Sequence, residues 1–146
     1  MKKTFSFLVV FVFLLFPIQT FAESSEFDQF ETIKKLIEMI CENSDNGDIQ
    51  VTCNESGFII RQSMKEVTDL LWAAHIVNNS DILSTWKEGR ENLLSFYNSI
   101  YEFIETCGIA NPNLLYMFTD PTEPDAGDTI FLAIYNGEVI YDMLAE

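Results

Sequence analysis

His75 is the one imidazole in the 146-residue chain, and the thiols are Cys41, Cys53 and Cys107. An imidazole can serve as a general base, and beside a thiol it can activate a nucleophile. The pattern does not bring these groups together. His75 falls in the run LLWAAHIV near the end of an apolar-faced helix, and Cys107 falls on the inward seam of another helix. One histidine and three scattered cysteines also lack the ligand spacing of a zinc site.

The stretch FTDPTEPDAGDT carries a second kind of chemistry. Asp120, Glu123, Asp125 and Asp128 supply the oxygens that a hard cation such as calcium takes. Their spacing departs from the EF-hand loop. Pro121 and Pro124 stiffen the segment and remove two amide donors. It reads as a rigid acidic connection between two strands, with these four acids as the candidate metal set. With 23 acids in the chain, a pair at hydrolase spacing arises by chance and identifies nothing. The chain has no Gly-rich phosphate loop, no G-x-S-x-G elbow and no H-E-x-x-H. No cofactor is implied. The enzyme alternative rests on His75 or an unspecified carboxylate pair, and a calcium-stabilised structural module is the other alternative.

The N-terminus points to export. Met1-Lys2-Lys3 precedes the apolar run FSFLVVFVFLLF, Pro17 follows, and Ala22 stands before Glu23. That is the form of a signal peptide cleaved after Ala22, with an apolar core shorter than the ~20 residues of a spanning helix. Residues 1–22 are therefore expected to leave, and residues 23–146 to form a single acidic domain, secreted or in a periplasm or envelope. Of the 8 lysines and arginines, Lys2 and Lys3 leave with the leader, so the remainder carries 6 bases against 23 acids, a charge of −17. No base follows Arg90, while ten acids do. Such a field disfavours nucleic acid and anionic lipid and selects a basic partner. Export also permits a disulfide, and Cys41–Cys53 is the expected pair.

The elements that must position these groups follow from periodicity. Phe27, Phe30, Ile33, Ile37, Ile40 and Cys41 recur at helical steps, and a turn-rich NSDNGD ends the run. DIQVTC and FIIRQ alternate around NESG, predicting a hairpin with a four-residue loop. Ser63 and Glu66 form a capping box before a helix faced by Met64, Val67, Leu71 and Ala74 and widened by Leu70 and Val77. After NNSD, with Ser80 or Asp81 as cap, a long helix carries Trp86, Leu93, Tyr97, Ile100, Ile104 and Cys107 inward. Gly108 and Pro112 end it. NLLYMF, TIFLAIY and EVIYDM then make a three-strand meander, the last two joined at Asn136-Gly137.

The expected fold is α+β: helix, hairpin, helix, helix, meander, with one antiparallel sheet and the helices on one face. The two-residue turn pairs Ile134 with Val139, Leu132 with Tyr141 and Ile130 with Met143 on the apolar, helix-covered face. The opposite face receives Tyr135 with Glu138, Ala133 with Ile140 and Phe131 with Asp142. Phe131, Tyr135 and Ile140, with Phe118 or Tyr116 nearby and Glu138 at the rim, are the expected partner-binding patch. The reading is a small exported acidic protein that binds, in an inhibitor-like manner, a basic envelope or extracellular protein, or associates with itself.

Overall fold

The computed structural model describes residues 26–42, 47–77, 79–120 and 129–145. The expected leader and cleavage point, and Glu123, Asp125 and Asp128, lie outside the described residues. Among the described residues, three helices and five strands follow in the order α1 (Glu26–Glu42), β1 (Asp48–Asn54), β2 (Gly57–Ser63), α2 (Lys65–Val77), α3 (Ser80–Thr106), β3 (Leu114–Asp120), β4 (Thr129–Tyr135) and β5 (Glu138–Asp142). The fold is α+β, as the periodicity implies.

The strands form one sheet in the order β1-β2-β3-β4-β5. The sheet is mixed: β2 and β3 run parallel, and the other neighbours are antiparallel. The expectation of an all-antiparallel sheet is corrected at this junction, and α3 is the physical reason. Its 27 residues span about 40 Å at 1.5 Å per residue, longer than any strand here. It carries the chain back past the sheet to the end where β2 began.

One face of the sheet meets the helices. Phe30 of α1 stacks on Phe58, Phe96 of α3 meets Tyr116 edge-on, and Trp86 of α3 contacts Phe118. These strand residues are register neighbours on the same side. Ile33, Ile37, Ile60, Ile104, Leu114 and Ile134 complete a core with their side chains removed from water. Tyr116 and Phe118, placed near the partner patch by the sequence reading, belong to this core. The Tyr116 hydroxyl donates to Gln62 Oε1 at 2.6 Å, which satisfies both buried polar groups. Burial pushes the Tyr116 pKa up.

Local chemistry differs from the sequence reading in small steps. The first hairpin is tighter than expected: Asn54 pairs with Gly57, leaving a two-residue turn. Asn54 Oδ1 accepts from the amides of Ser56 and Gly57. Ser63 ends β2 and does not cap α2, where the first turn closes on the Met64 carbonyl. Asn79, not Ser80 or Asp81, caps α3, its Oδ1 accepting from the amides of Asp81 and Ile82. Leu70 and Val77 do not widen the buried face of α2. They are exposed, and Thr68, Leu71 and Ala74 are the buried residues.

Two bulges reset the last three strands. Phe118 pairs with Leu132 but Thr119 pairs with Ile130, so Phe131 is an extra residue in β4. Ile134 pairs with Val139 but Ala133 pairs with Tyr141, so Ile140 is an extra residue in β5. An extra residue reverses the facing of everything beyond it. Tyr141 therefore moves to the outer face opposite Ala133, and Asp142 moves to the helix side opposite Leu132. The expected pairs Leu132–Tyr141 and Ala133–Ile140 are corrected accordingly.

Candidate functional site

The second bulge leaves an apolar surface on the last strand. Val139, Ile140 and Tyr141 are 38%, 59% and 49% exposed, in a strand at the edge of the sheet. Tyr135 of β4 is exposed beside them and pairs with the exposed Glu138. Of the four residues expected in the partner patch, Tyr135, Glu138 and Ile140 are at the surface. Phe131 is not: its ring is fully buried and meets Trp72 of α2 edge-on, with centroids 5.5 Å apart. The bulge at Phe131 accounts for that correction.

The sequence reading missed Val139 and Tyr141, which a bulge-free register assigns to the core face. The exposed apolar run EVIY next to a turn was the available signal.

A shallow groove of about 320 Å³ opens beside Tyr135, floored by Ile59 and Leu115 and rimmed by Thr52, Ser56 and Asn113. Alternation in FIIRQ could have revealed it, because Phe58 and Ile60 point to the core and Ile59 therefore points out. The Tyr135 hydroxyl donates to Asn113 Oδ1 at 3.3 Å, and Asn113 Nδ2 donates to the Ser56 carbonyl at 2.8 Å. No charged residue lines the groove. It offers apolar contact, an amide and hydroxyls, which suits holding an extended or neutral group.

The turn at Asn136-Gly137 presents Tyr135 and Glu138. Both turn residues take positive φ, +46° and +85°, the left-handed pair that a two-residue hairpin needs. The Gly137 amide donates to the Tyr97 hydroxyl at 3.0 Å, and that hydroxyl donates to the Leu114 carbonyl. Tyr97 of α3 thus ties the hairpin to the start of β3.

The cysteines are free thiols. The Cys41–Cys53 bridge is not formed, and the fold explains why. Cys53 Sγ donates to Glu31 Oε1 at 3.5 Å, in the first half of α1. Cys41 lies ten residues further along that helix, about 15 Å away at 1.5 Å per residue. A bridge needs the two Cα atoms within about 7 Å. Burial, then Glu38, pushes the Cys41 pKa up to about 11. Burial and the bond to Glu31 push Cys53 up to about 11 as well. Burial also raises Cys107. All three are therefore protonated at neutral pH and poor nucleophiles.

His75 is exposed, and its ring meets Trp72 edge-on with centroids 6.2 Å apart. Among the described residues, no hydrogen bond or ion pair joins it to a thiol or a carboxylate. Asp120, the one member of the candidate metal set among the described residues, is buried and accepts the Trp72 indole N–H at 2.5 Å. Among the described residues, no group of three or more His, Cys, Asp or Glu could hold a metal ion, and no helix is long and apolar enough to cross a membrane.

No protein-family model, curated protein or solved structure matches the chain.

Proposed function

We propose that the protein is an exported, non-catalytic binding module, secreted or held in the cell envelope. Its surface of Tyr135, Glu138 and the exposed residues of β5 engages a basic partner protein in an inhibitor-like manner. One observation carries the reading: an edge strand with three exposed apolar side chains beside an exposed tyrosine and glutamate, in a chain of net charge −15. Exposed apolar residues gathered on one strand are characteristic of a partner surface, and aromatic side chains are favoured there. The acidic field draws a basic partner at long range and fixes its orientation, while the apolar strand supplies the contact area.

The test is capture on the immobilised chain from envelope and culture extract of its source, loaded at low salt and eluted at high salt. The expected result is a discrete basic protein whose association slows as ionic strength rises. Tyr135→Ala and Glu138→Lys should each reduce its retention. Retention unaffected by both substitutions removes this face from consideration, and turnover of a substrate by the purified chain removes the non-catalytic reading.

A further inference from the structure

The sheet has two edges, and they are built differently. β1, at one edge, turns Asp48, Gln50 and Thr52 outward and Ile49, Val51 and Cys53 toward α1. β5, at the other, has no lysine and no proline, the residues that commonly blunt an edge, and it exposes apolar side chains on both faces. Its pairing with β4 also fixes which main-chain groups are free. In a two-residue hairpin the residues flanking the turn, here Tyr135 and Glu138, bond to each other. The next residue, Val139, then directs its amide and carbonyl to the open edge.

We propose that β5 receives an extended segment of the basic partner as a sixth strand. This inference rests on the binding reading above and names the manner of engagement. Main-chain pairing at Val139 supplies the affinity, and alternate side chains of the incoming strand supply the selection. On the outer face they meet Glu138, so a lysine or arginine there is matched by a carboxylate. On the helix side they lie over Val139, so an apolar residue fits. Arg90, bound to Asp142 at 3.0 Å, lies on the helix side, and on the outer face Glu138 is the charged residue of β5, with the exposed Arg61 three strands away on β2. The net charge of −15 opposes a second copy of the chain in this place. The bulge at Ile140 limits the pairing to the turn-proximal part of β5.

The experiment uses the isotope-labelled full chain, as its host leaves it, and three capped octapeptides. One alternates valine and lysine, one carries the same lysines interrupted by prolines, and one alternates valine and glutamate. Strand addition predicts that the first binds and that the Val139 amide shifts and exchanges at least tenfold more slowly. The proline-interrupted and glutamate peptides should bind about tenfold more weakly or worse, the scale of one main-chain hydrogen bond. Val139→Pro, which removes an edge amide and no ladder bond, and Glu138→Lys at the exposed turn should each weaken binding of the first peptide similarly, with folding checked by thermal melts. Equal binding of both lysine peptides, unchanged in Val139→Pro, overturns strand addition and leaves the basic-partner reading standing. No binding of either lysine peptide at low salt, or equal binding of the glutamate peptide, overturns both. A dimer that dissociates in Val139→Pro assigns the edge to a second copy and overturns the foreign strand.

Discussion

Arg90 of α3 and Asp142 at the end of β5 meet across 52 positions of sequence, with Nη1 3.0 Å from Oδ2. The same carboxylate accepts the Trp86 indole N–H at 3.0 Å and the Leu144 amide at 3.0 Å through Oδ1. Its side chain is 4% exposed, against 26% for Arg90. This carboxylate anchors the end of the edge strand to the longest helix. Asp142→Ala leaves the indole, an amide and a guanidinium without their acceptor, and should cost about 3 kcal/mol. Arg90→Ala leaves the carboxylate with two neutral donors. The Arg90 Nε is already buried with no acceptor among the described residues, so the pair does not use the whole guanidinium. Its loss should cost about half as much. Urea unfolding of both variants checks the order, and equal losses would contradict it.

Leu70 and Leu71 are neighbours with opposite fates: 55% and 2% exposed. Leu71→Ala removes a side chain from the core and should cost about 3 kcal/mol. Leu70→Ala should fall within about 0.5 kcal/mol, the scale of surface changes. Thermal melts of the two variants test the facing of α2 directly.

Leu70 also shows where the sequence misleads. Apolar periodicity placed α2 correctly, but an exposed leucine and valine carry the same signal as buried ones. The elements themselves were legible because their signals are local. Asn136-Gly137 fixed a turn, Gly108 takes the left-handed φ of +99° just past α3, and Trp86, Tyr97, Ile100 and Ile104 are buried on one seam. The bulges were not legible. Whether Phe131 or Ile140 is paired or extra depends on the neighbouring strand and on α2, and no residue in TIFLAIY marks it. Of the four residues expected together at the surface, Tyr135, Glu138 and Ile140 are consequently exposed and Phe131 is buried. The parallel junction of β2 and β3 was hidden for a similar reason, since strand direction is set by the return path of α3.

The thiols predict a pH dependence. Cys41 and Cys53 rise from an ordinary 9.0 to about 11 in the folded chain. Between those values the unfolded chain has lost protons that the folded chain retains, so stability falls as pH rises through that window and is unaffected below it. Tyr97 and Tyr116, also raised, act with the same sign at the alkaline end. Stability measured at intervals from pH 8 to 11 should decline, and Cys41→Ala should make the decline shallower. At pH 7 all three thiols should alkylate slowly in the folded chain and rapidly in denaturant. Blocked thiols that open only on reduction would contradict the free-thiol arrangement.

Gly57 and Gly137 separate backbone strain from crowding. Both have positive φ, +155° and +85°. A Cβ on Gly57 would lie 2.2 Å from the Asn113 carbonyl oxygen and 2.7 Å from its Cβ, whereas a Cβ on Gly137 meets nothing within 4 Å. That carbonyl also accepts the Phe58 amide at 2.8 Å, so it cannot retreat without breaking the join between β2 and the entry to β3. Gly137→Ala should therefore cost only the conformational penalty of a left-handed alanine, about 1 kcal/mol. Gly57→Ala must also separate the β1–β2 turn from Asn113, and should cost about 3 kcal/mol or more. The two effects are also distinguishable at the groove. Moving Asn113 takes away the acceptor of the Tyr135 hydroxyl, so the tyrosine resonances should shift in Gly57→Ala beyond the turn itself. In Gly137→Ala the changes should stay within the hairpin and the Tyr97 hydroxyl that holds it. Similar losses in both variants would mean that Asn113 yields easily, and that the groove is not held by the close approach at Gly57.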